Sequence, residues 1–196
     1  MYASEISKEE IDLLTVKQFG GRIIMIDTEE LFEEEITRIM QHRVLGFDTE
    51  TKPSFSKGKN NQVSLVQLAT ADEAWLIRLN RTGIPDKLKE LFEDENIIKI
   101  GTGLQDDLRR LRSLIRFQAR GFLELQQYAE AFHIQSKSLK KLAAIVLGVK
   151  ISKSQQMSNW EAHELSPAQQ VYAATDAWAC YAIYFKLRDS VFLKNE

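Results

Sequence analysis

Two carboxylates, Asp48 and Glu50, stand two residues apart at the end of the apolar run 44–49. In a strand that spacing puts both side chains on one face and turns Thr49 to the other. Side by side they repel unless a cation stands between them. On these residues alone, the alternative is a strand end entering solvent. Asp176 is a sharper anomaly, because VYAATDAWACYAIYF (171–185) contains no other charged residue. A carboxylate inside an apolar helix is paired, bound to metal or set at the floor of a cleft, since an unpaired buried charge is very costly. Tyr172 precedes it by four residues and shares its helix face. A fourth acid comes from the doublet Asp106–Asp107. Leu104, Leu108, Leu111 and Ile115 form the apolar stripe of that helix. Asp107 borders the stripe, whereas Asp106 faces the opposite side as an acid favoured by the helix dipole. Asp107 is therefore the candidate.

Four oxygen donors suit hard cations such as Mg²⁺ or Mn²⁺. Zinc would ask for Cys or His at ligand spacing, and none is present. Carboxylates holding two such ions are a standard apparatus for in-line phosphodiester cleavage. The G-T-G at 101–103 is not a dinucleotide fingerprint, because Asp106 occupies the third glycine position. Around the acids lie candidates for substrate contact. Lys52, Lys57 and Lys59 follow the first pair in a Pro/Gly/Lys/Asn loop, and Phe55 in the same loop could stack on a base. Arg109 heads a cationic stretch with Arg110, Arg112, Arg116 and Arg120, and Lys150 and Lys153 occupy the polar loop KISKSQQMS (150–158). The substrate-contact set is Thr49, Lys52, Phe55, Lys57, Arg109 and Lys153. The competing reading is a solvated loop, a solvated helix face and a loop aromatic packed on its own scaffold. His42, His133 and His163 share no spacing, Cys180 reads as an inert buried thiol, and Trp75, Trp160 and Trp178 read as core.

These side chains need a scaffold, and the composition supports one. The chain has 196 residues with 44% hydrophobic and 28% charged content and a formal net charge of −2. That length suits one domain and a sizeable core. A single cysteine rules out a disulfide framework and points to a reducing compartment. The N-terminus, MYASEISKEEIDLL, is polar and acidic, unlike a signal peptide. The longest low-charge run is too short to span a membrane and carries Asp176. The expectation is a soluble, cytoplasmic protein with no membrane partner.

Residues 1–20 read as an N-terminal arm with a short helix at 8–16, and residues 21–196 as one domain. Strands are expected at 22–26, 44–49, 63–69, 74–79 and 97–101, the second to fourth joined as hairpins. Helices are expected after Thr28, over 84–92 and 104–115, and then throughout: 123–132, 138–147 and a long last helix after Ser166-Pro167. Strands followed by a strand–helix unit and then helices predict an α/β fold, with a mixed central sheet flanked by helices.

In order and spacing, GFDTET (46–51), KIGTGLQDDLRRL (99–111) and YAATDAWACY (172–181) resemble the three exonuclease motifs of the DEDD superfamily. The match is to the branch that includes ribonuclease D and the exonuclease domain of the Werner-syndrome helicase. Between the motifs, VSLVQLAT (63–70), SLKKLA (138–143) and SNW (158–160) are similar as well. The resemblance implies a ribonuclease-H-like fold and two divalent ions, Mg²⁺ or Mn²⁺. The implied activity is 3′→5′ hydrolysis of DNA or RNA from its 3′ end, releasing nucleoside 5′-monophosphates. It also implies roles: Asp48 bridging both metals, Glu50 and Asp176 completing the inner shell, and Asp107 holding the second ion through water. The family divides on whether a Tyr four residues before the last Asp or a His five before it assists the water. Here Tyr172 and Val171 occupy those positions, which resembles the tyrosine (DEDDy) type, with Tyr172 and Glu50 orienting the nucleophile. Two other functions fit the same residues: a catalytically silent nucleic-acid-binding module, and a hydrolase of small oligonucleotides or dinucleotides.

Overall fold

The computed structural model describes residues 2–53 and 61–192. Its elements in chain order are α1 (Lys8–Asp12), β1 (Arg22–Ile26), α2 (Glu29–Ile39), β2 (Val44–Thr51), β3 (Val63–Ala69), β4 (Glu73–Ile77), α3 (Leu79–Thr82), α4 (Asp86–Glu93), β5 (Ile98–Gly101), α5 (Leu104–Leu114), β6 (Phe122–Glu124), α6 (Leu125–Glu130), α7 (Leu139–Leu142) and α8 (Pro167–Phe192). The strands form one sheet in the order β1-β4-β3-β2-β5-β6. β3 is antiparallel to β2 and β4, and the remaining pairings are parallel. The mixed α/β sheet and the β2–β3–β4 meander agree with the pattern in the sequence.

The two faces of the sheet are covered by different helices. Phe47, Val66, Leu68, Trp75 and Ile77 pack on one face with residues of α2, α4 and α5, among them Phe32, Leu91 and Leu111. On the other face α8 lies against Leu65, Ala69, Ala74 and Leu76 through Ala173, Ala174 and Ala177. Small residues on α8 and Gly46 on β2 let the two backbones approach closely. A Cβ at Gly46 would overlap the Ala177 carbonyl oxygen. A glycine inside an apolar strand marks such a close approach. Further along α8, Ile183 and Leu187 share a second cluster with α6 and α7.

Helix starts follow from capping. Thr28 Oγ1 accepts the Leu31 amide at 3.2 Å, and Ser138 Oγ accepts the Lys141 amide at 3.3 Å, each satisfying a donor the first helical turn leaves open. Several elements differ from the sequence expectation; β4 ends at Ile77, and Leu79, expected in that strand, opens α3. The N-terminal helix ends at Asp12, and the chain then crosses to Lys150, whose carbonyl accepts the Lys17 amide at 2.8 Å. β2 continues to Thr51, so Glu50 lies within the strand. Phe122–Glu124 is a strand rather than the start of a helix, because it pairs in parallel with Lys99–Gly101. Three residues are too few for an alternating pattern to register. α7 continues over Ala143–Leu147 as a π-helix. Ahead of β1, Phe19 is buried, and its amide donates to Thr175 Oγ1 at 3.0 Å. Among the described residues, no helix is long and apolar enough to cross a membrane.

Candidate active site

Strand alternation sends Gly46, Asp48 and Glu50 to the α8 side, where Gly46 admits the helix and the two acids meet its side chains. Asp176 precedes Ala177, the residue seated over Gly46, so the same close contact delivers its carboxylate to β2. One ligand atom from each of Asp48, Glu50 and Asp176 lies within 4.8 Å of the others. The β2–β3 register slips between Glu50 and Thr51, so regular pairing is interrupted just beyond the acids. Bulges often interrupt pairing in this way next to active sites.

Asp107 arrives from the opposite side of the sheet and stands outside that three-acid group. Thr49 joins the two: its hydroxyl donates to Asp107 Oδ1 at 2.7 Å, and its amide donates to Asp48 Oδ1 at 2.9 Å. The first turn of α5, which bears Asp107, has glycine at its N-cap, with Gly103 at φ 72° and no side-chain cap of its own. Glu124 at the end of β6 supplies the missing acceptor, taking the Gly103 amide at 3.2 Å and the Leu104 amide at 2.9 Å. The sequence reading missed Glu124 because its partners are twenty residues away and its strand is only three residues long.

The acids open onto a cavity of about 220 Å³. Its walls include Thr102, Leu139, Lys140, Ser152, Lys153 and Gln156, together with Tyr172. Tyr172 and Lys153 were legible in the sequence as candidates, and Leu139 and Lys140 lie in the segment SLKKLA (138–143); Thr102, Ser152 and Gln156 come from loops and were not singled out. Gln67 was missed as well. It sits directly opposite Asp48 in the β2–β3 register, hence on the same sheet face. It is fully buried, and both its amide atoms lack a hydrogen-bond partner among the described residues. A lone amide in VSLVQLAT was the available signal.

Crowded, partly buried acids are hard to ionise. Burial raises Asp48 well above the usual carboxylate range, and Asp107, Asp176 and Glu50 add to the rise. Burial, then Asp176 and Asp107, pushes Glu50 up to about 9. Asp176 is raised by burial to about 7, with the Tyr172 hydroxyl and Lys153 pulling the other way. Asp107 rises to about 6 through burial, moderated by its hydrogen bond from Thr49 and by Arg110. Tyr172 is raised by burial first and then by Asp176 and Glu50.

The remaining candidates divide. Lys52 is paired with Glu161, Nζ to Oε2 at 3.2 Å. Arg109 is exposed and bound to Asp106 at 2.9 Å, on the solvent side of α5. Its neighbour Arg110 instead reaches Thr51 Oγ1 at 3.0 Å, beside the acids. Phe55, Lys57 and Lys59 lie outside the described residues. His42 packs against Trp75 with centroids 5.5 Å apart. His133 and His163 are exposed, Cys180, Trp75 and Trp160 are buried, and Trp178 is half-buried.

Comparison with known proteins places these features in context. A family model described as 3′–5′ exonuclease matches residues 23–191. The bifunctional 3′–5′ exonuclease/ATP-dependent helicase WRN of Mus musculus is 32% identical over 186 residues, covering 90% of this chain and 13% of that protein, so the chain corresponds to a small part of it. Among solved structures, the Nibbler EXO domain of Aedes aegypti superposes with a TM-score of 0.79 at 25% identity, covering 88% of this chain and 89% of that one. RNase D of Escherichia coli gives 0.77 at 22% identity, covering 89% of this chain and 46% of that one, a likeness of fold.

Proposed function

We propose, from the premise that the chain belongs to the 3′–5′ exonuclease family, that it hydrolyses DNA or RNA from the 3′ end and releases nucleoside 5′-monophosphates. The observation that carries this reading is the convergence of three carboxylates from β2 and α8 within 4.8 Å, with Asp107 tied to them through Thr49. We assign catalysis to residues 21–196, with residues 1–20 as an arm against that domain, and action in the cytoplasm.

The donor set fits divalent cations. All the candidate ligands are hard oxygens, their mutual repulsion is relieved by a cation or by protonation, and the amide of Gln67 beside Asp48 has no hydrogen-bond partner among the described residues. Asp48, Glu50 and Asp176 would hold one Mg²⁺ or Mn²⁺, and Asp48 with Asp107 a second. Bound there, the ions would supply a water ionisable near neutral pH and neutralise charge on the departing 3′ oxygen. The protein's own groups do the rest. Raised well above its ordinary value by burial and by Asp176 and Glu50, the Tyr172 hydroxyl keeps its proton, so it orients the attacking water rather than deprotonating it. Glu50 shares that orientation, because attack must lie in line with the bond broken. This assigns the chain to the tyrosine type. Lys140, Lys153 and Gln156, which line the cavity with the acids, are assigned to the phosphate and sugar of the terminal nucleotide.

The test is a time course on 5′-labelled DNA and RNA, single-stranded or with recessed 3′ ends, in Mg²⁺, Mn²⁺ or EDTA, beside Asp176→Ala. The expected result is a metal-dependent ladder shortening from the 3′ end and absent in the variant. Turnover of dinucleotides alone would redirect the assignment to small oligonucleotides. Binding without turnover on any substrate would reduce the chain to a nucleic-acid-binding module.

A further inference from the structure

Tyr172 stands between two cavities, and its role requires a fixed hydroxyl. It borders the acid cavity, and it also borders a second cavity of about 50 Å³ lined by Gln18, Ser152, Ala168 and Thr175. The ring between these openings is held at its hydroxyl by Asp176 and along its side by Trp160. The two ring centroids are 6.0 Å apart with their planes inclined by 35°. Trp160 is fully buried, yet its Nε1 has no hydrogen-bond partner among the described residues. Among the described residues no polar group fixes the indole, so its contribution there is packing, and the tyrosine is one of the groups in its cluster.

The segment that carries Trp160 is fastened on both sides of it. Arg78, only 2% exposed at the end of β4, donates Nη1 to the His163 carbonyl at 2.8 Å and Nη2 to the Ala162 carbonyl. Arg81 adds a bond to the same His163 carbonyl at 2.9 Å. On the other side Gln169, one turn before Tyr172 in α8, donates Nε2 to the Asn159 carbonyl at 3.2 Å. Burying a guanidinium on neutral carbonyls carries a desolvation cost that a loop merely resting on the surface would not require. The position of this segment is therefore held at some expense of stability, and its buried aromatic lies against the one tyrosine facing the acids.

We propose that Trp160 is a positioning residue for the reaction. It holds the Tyr172 ring so that the hydroxyl stays in the acid cavity, and Arg78 anchors the segment that presents it. This rests on the assignment of Tyr172 to the orientation of water.

A double-mutant cycle separates this from a plain structural role. In the wild-type background Trp160→Leu is expected to lower kcat about 30-fold, the range for a slightly misplaced group. In the Tyr172→Phe background, which has already lost the hydroxyl, the same substitution is expected to lower kcat less than about 2-fold. The Mn²⁺ concentration for half-maximal thermal stabilisation should stay within about 2-fold between wild type and Trp160→Leu, because all four acids are retained. Trp160→Phe keeps a ring on the tyrosine and should restore most of the rate; it carries the cycle if Trp160→Leu does not fold. Equal losses in both backgrounds, or a shifted Mn²⁺ midpoint, would overturn the proposal. If Tyr172→Phe alone leaves kcat unchanged while Asp176→Ala abolishes it, the role of Tyr172 fails and this proposal with it, and the exonuclease assignment stands.

Discussion

Gly46→Ala adds one methyl group at a position that touches no acid, yet it should disable the site. The added Cβ would overlap the Ala177 carbonyl oxygen and stand 2.9 Å from its carbonyl carbon, whereas ordinary contact begins at 3.4 Å. Both obstacles are backbone, and Tyr181 Cβ at 3.1 Å blocks a sideways escape. β2 is an inner strand held by β3 and β5, so α8 must yield, by about 1 Å for a methyl of this size. Overpacking of this kind costs about 1–3 kcal/mol. The move also carries Asp176, the residue before Ala177, away from Asp48 and Glu50. A displacement of about 1 Å at a reacting centre lowers the rate ~100-fold. The assay is kcat on a labelled oligonucleotide in saturating Mn²⁺, beside thermal denaturation in EDTA. The diagnostic pattern is a fall in Tm with a much larger fall in kcat, and a weakened Mn²⁺-induced rise in Tm. A Gly46→Ala protein with wild-type rate and wild-type metal response would refute the claim that this contact places Asp176.

Stability should also depend on pH in a manner set by the acids. Groups raised in the folded state stabilise it while protonated and lose that contribution as pH climbs through the raised values. Glu50 at about 9 and Asp176 at about 7 place the loss between about pH 4.5 and 9. In EDTA, Tm should therefore fall from pH 6 to pH 8.5, less so in Asp48→Asn, and saturating Mg²⁺ should shrink the fall; a flat profile contradicts the crowding. Thr49→Val removes the 2.7 Å bond to Asp107 while keeping the β-branched shape. It should lower kcat about 10-fold, equivalent to ~1.4 kcal/mol, with Tm nearly unchanged. Gln67→Leu removes an amide that has no partner among the described residues, so it should raise the metal-free stability by about 1 kcal/mol. A marked loss on chemical denaturation would mean that the amide is bonded to buried water.

Much of the site was legible because its acids violate their surroundings. Asp176 breaks an uncharged helical run, and Asp48 and Glu50 share a strand face by a period of two, so both signals are local. Asp107 was separable from Asp106 because α5 has a clear apolar stripe. What escaped depends on contacts distant in sequence: Glu124 capping α5 from β6, Gln156 from a loop and Lys140 from α7 brought to one cavity, and Trp160 placed against Tyr172. β6 escaped because three residues carry no pattern and helical residues follow at once. Gly46 offered a usable warning, since a glycine between Leu45 and Phe47 gives up packing that only a close neighbour explains. A dense basic run does not reveal its partners: Arg109 and Arg110 are both exposed, and the first pairs with Asp106 while the second reaches Thr51.

The central claim, that these carboxylates exist to hold divalent cations, is tested most directly by titrating Mn²⁺ into the metal-free protein and into Asp48→Asn, with free Mn²⁺ followed by electron paramagnetic resonance. Saturable binding by the wild type, with affinity lowered at least about 10-fold in Asp48→Asn, is the predicted result. Equal binding by the two proteins, or none by either, would contradict it.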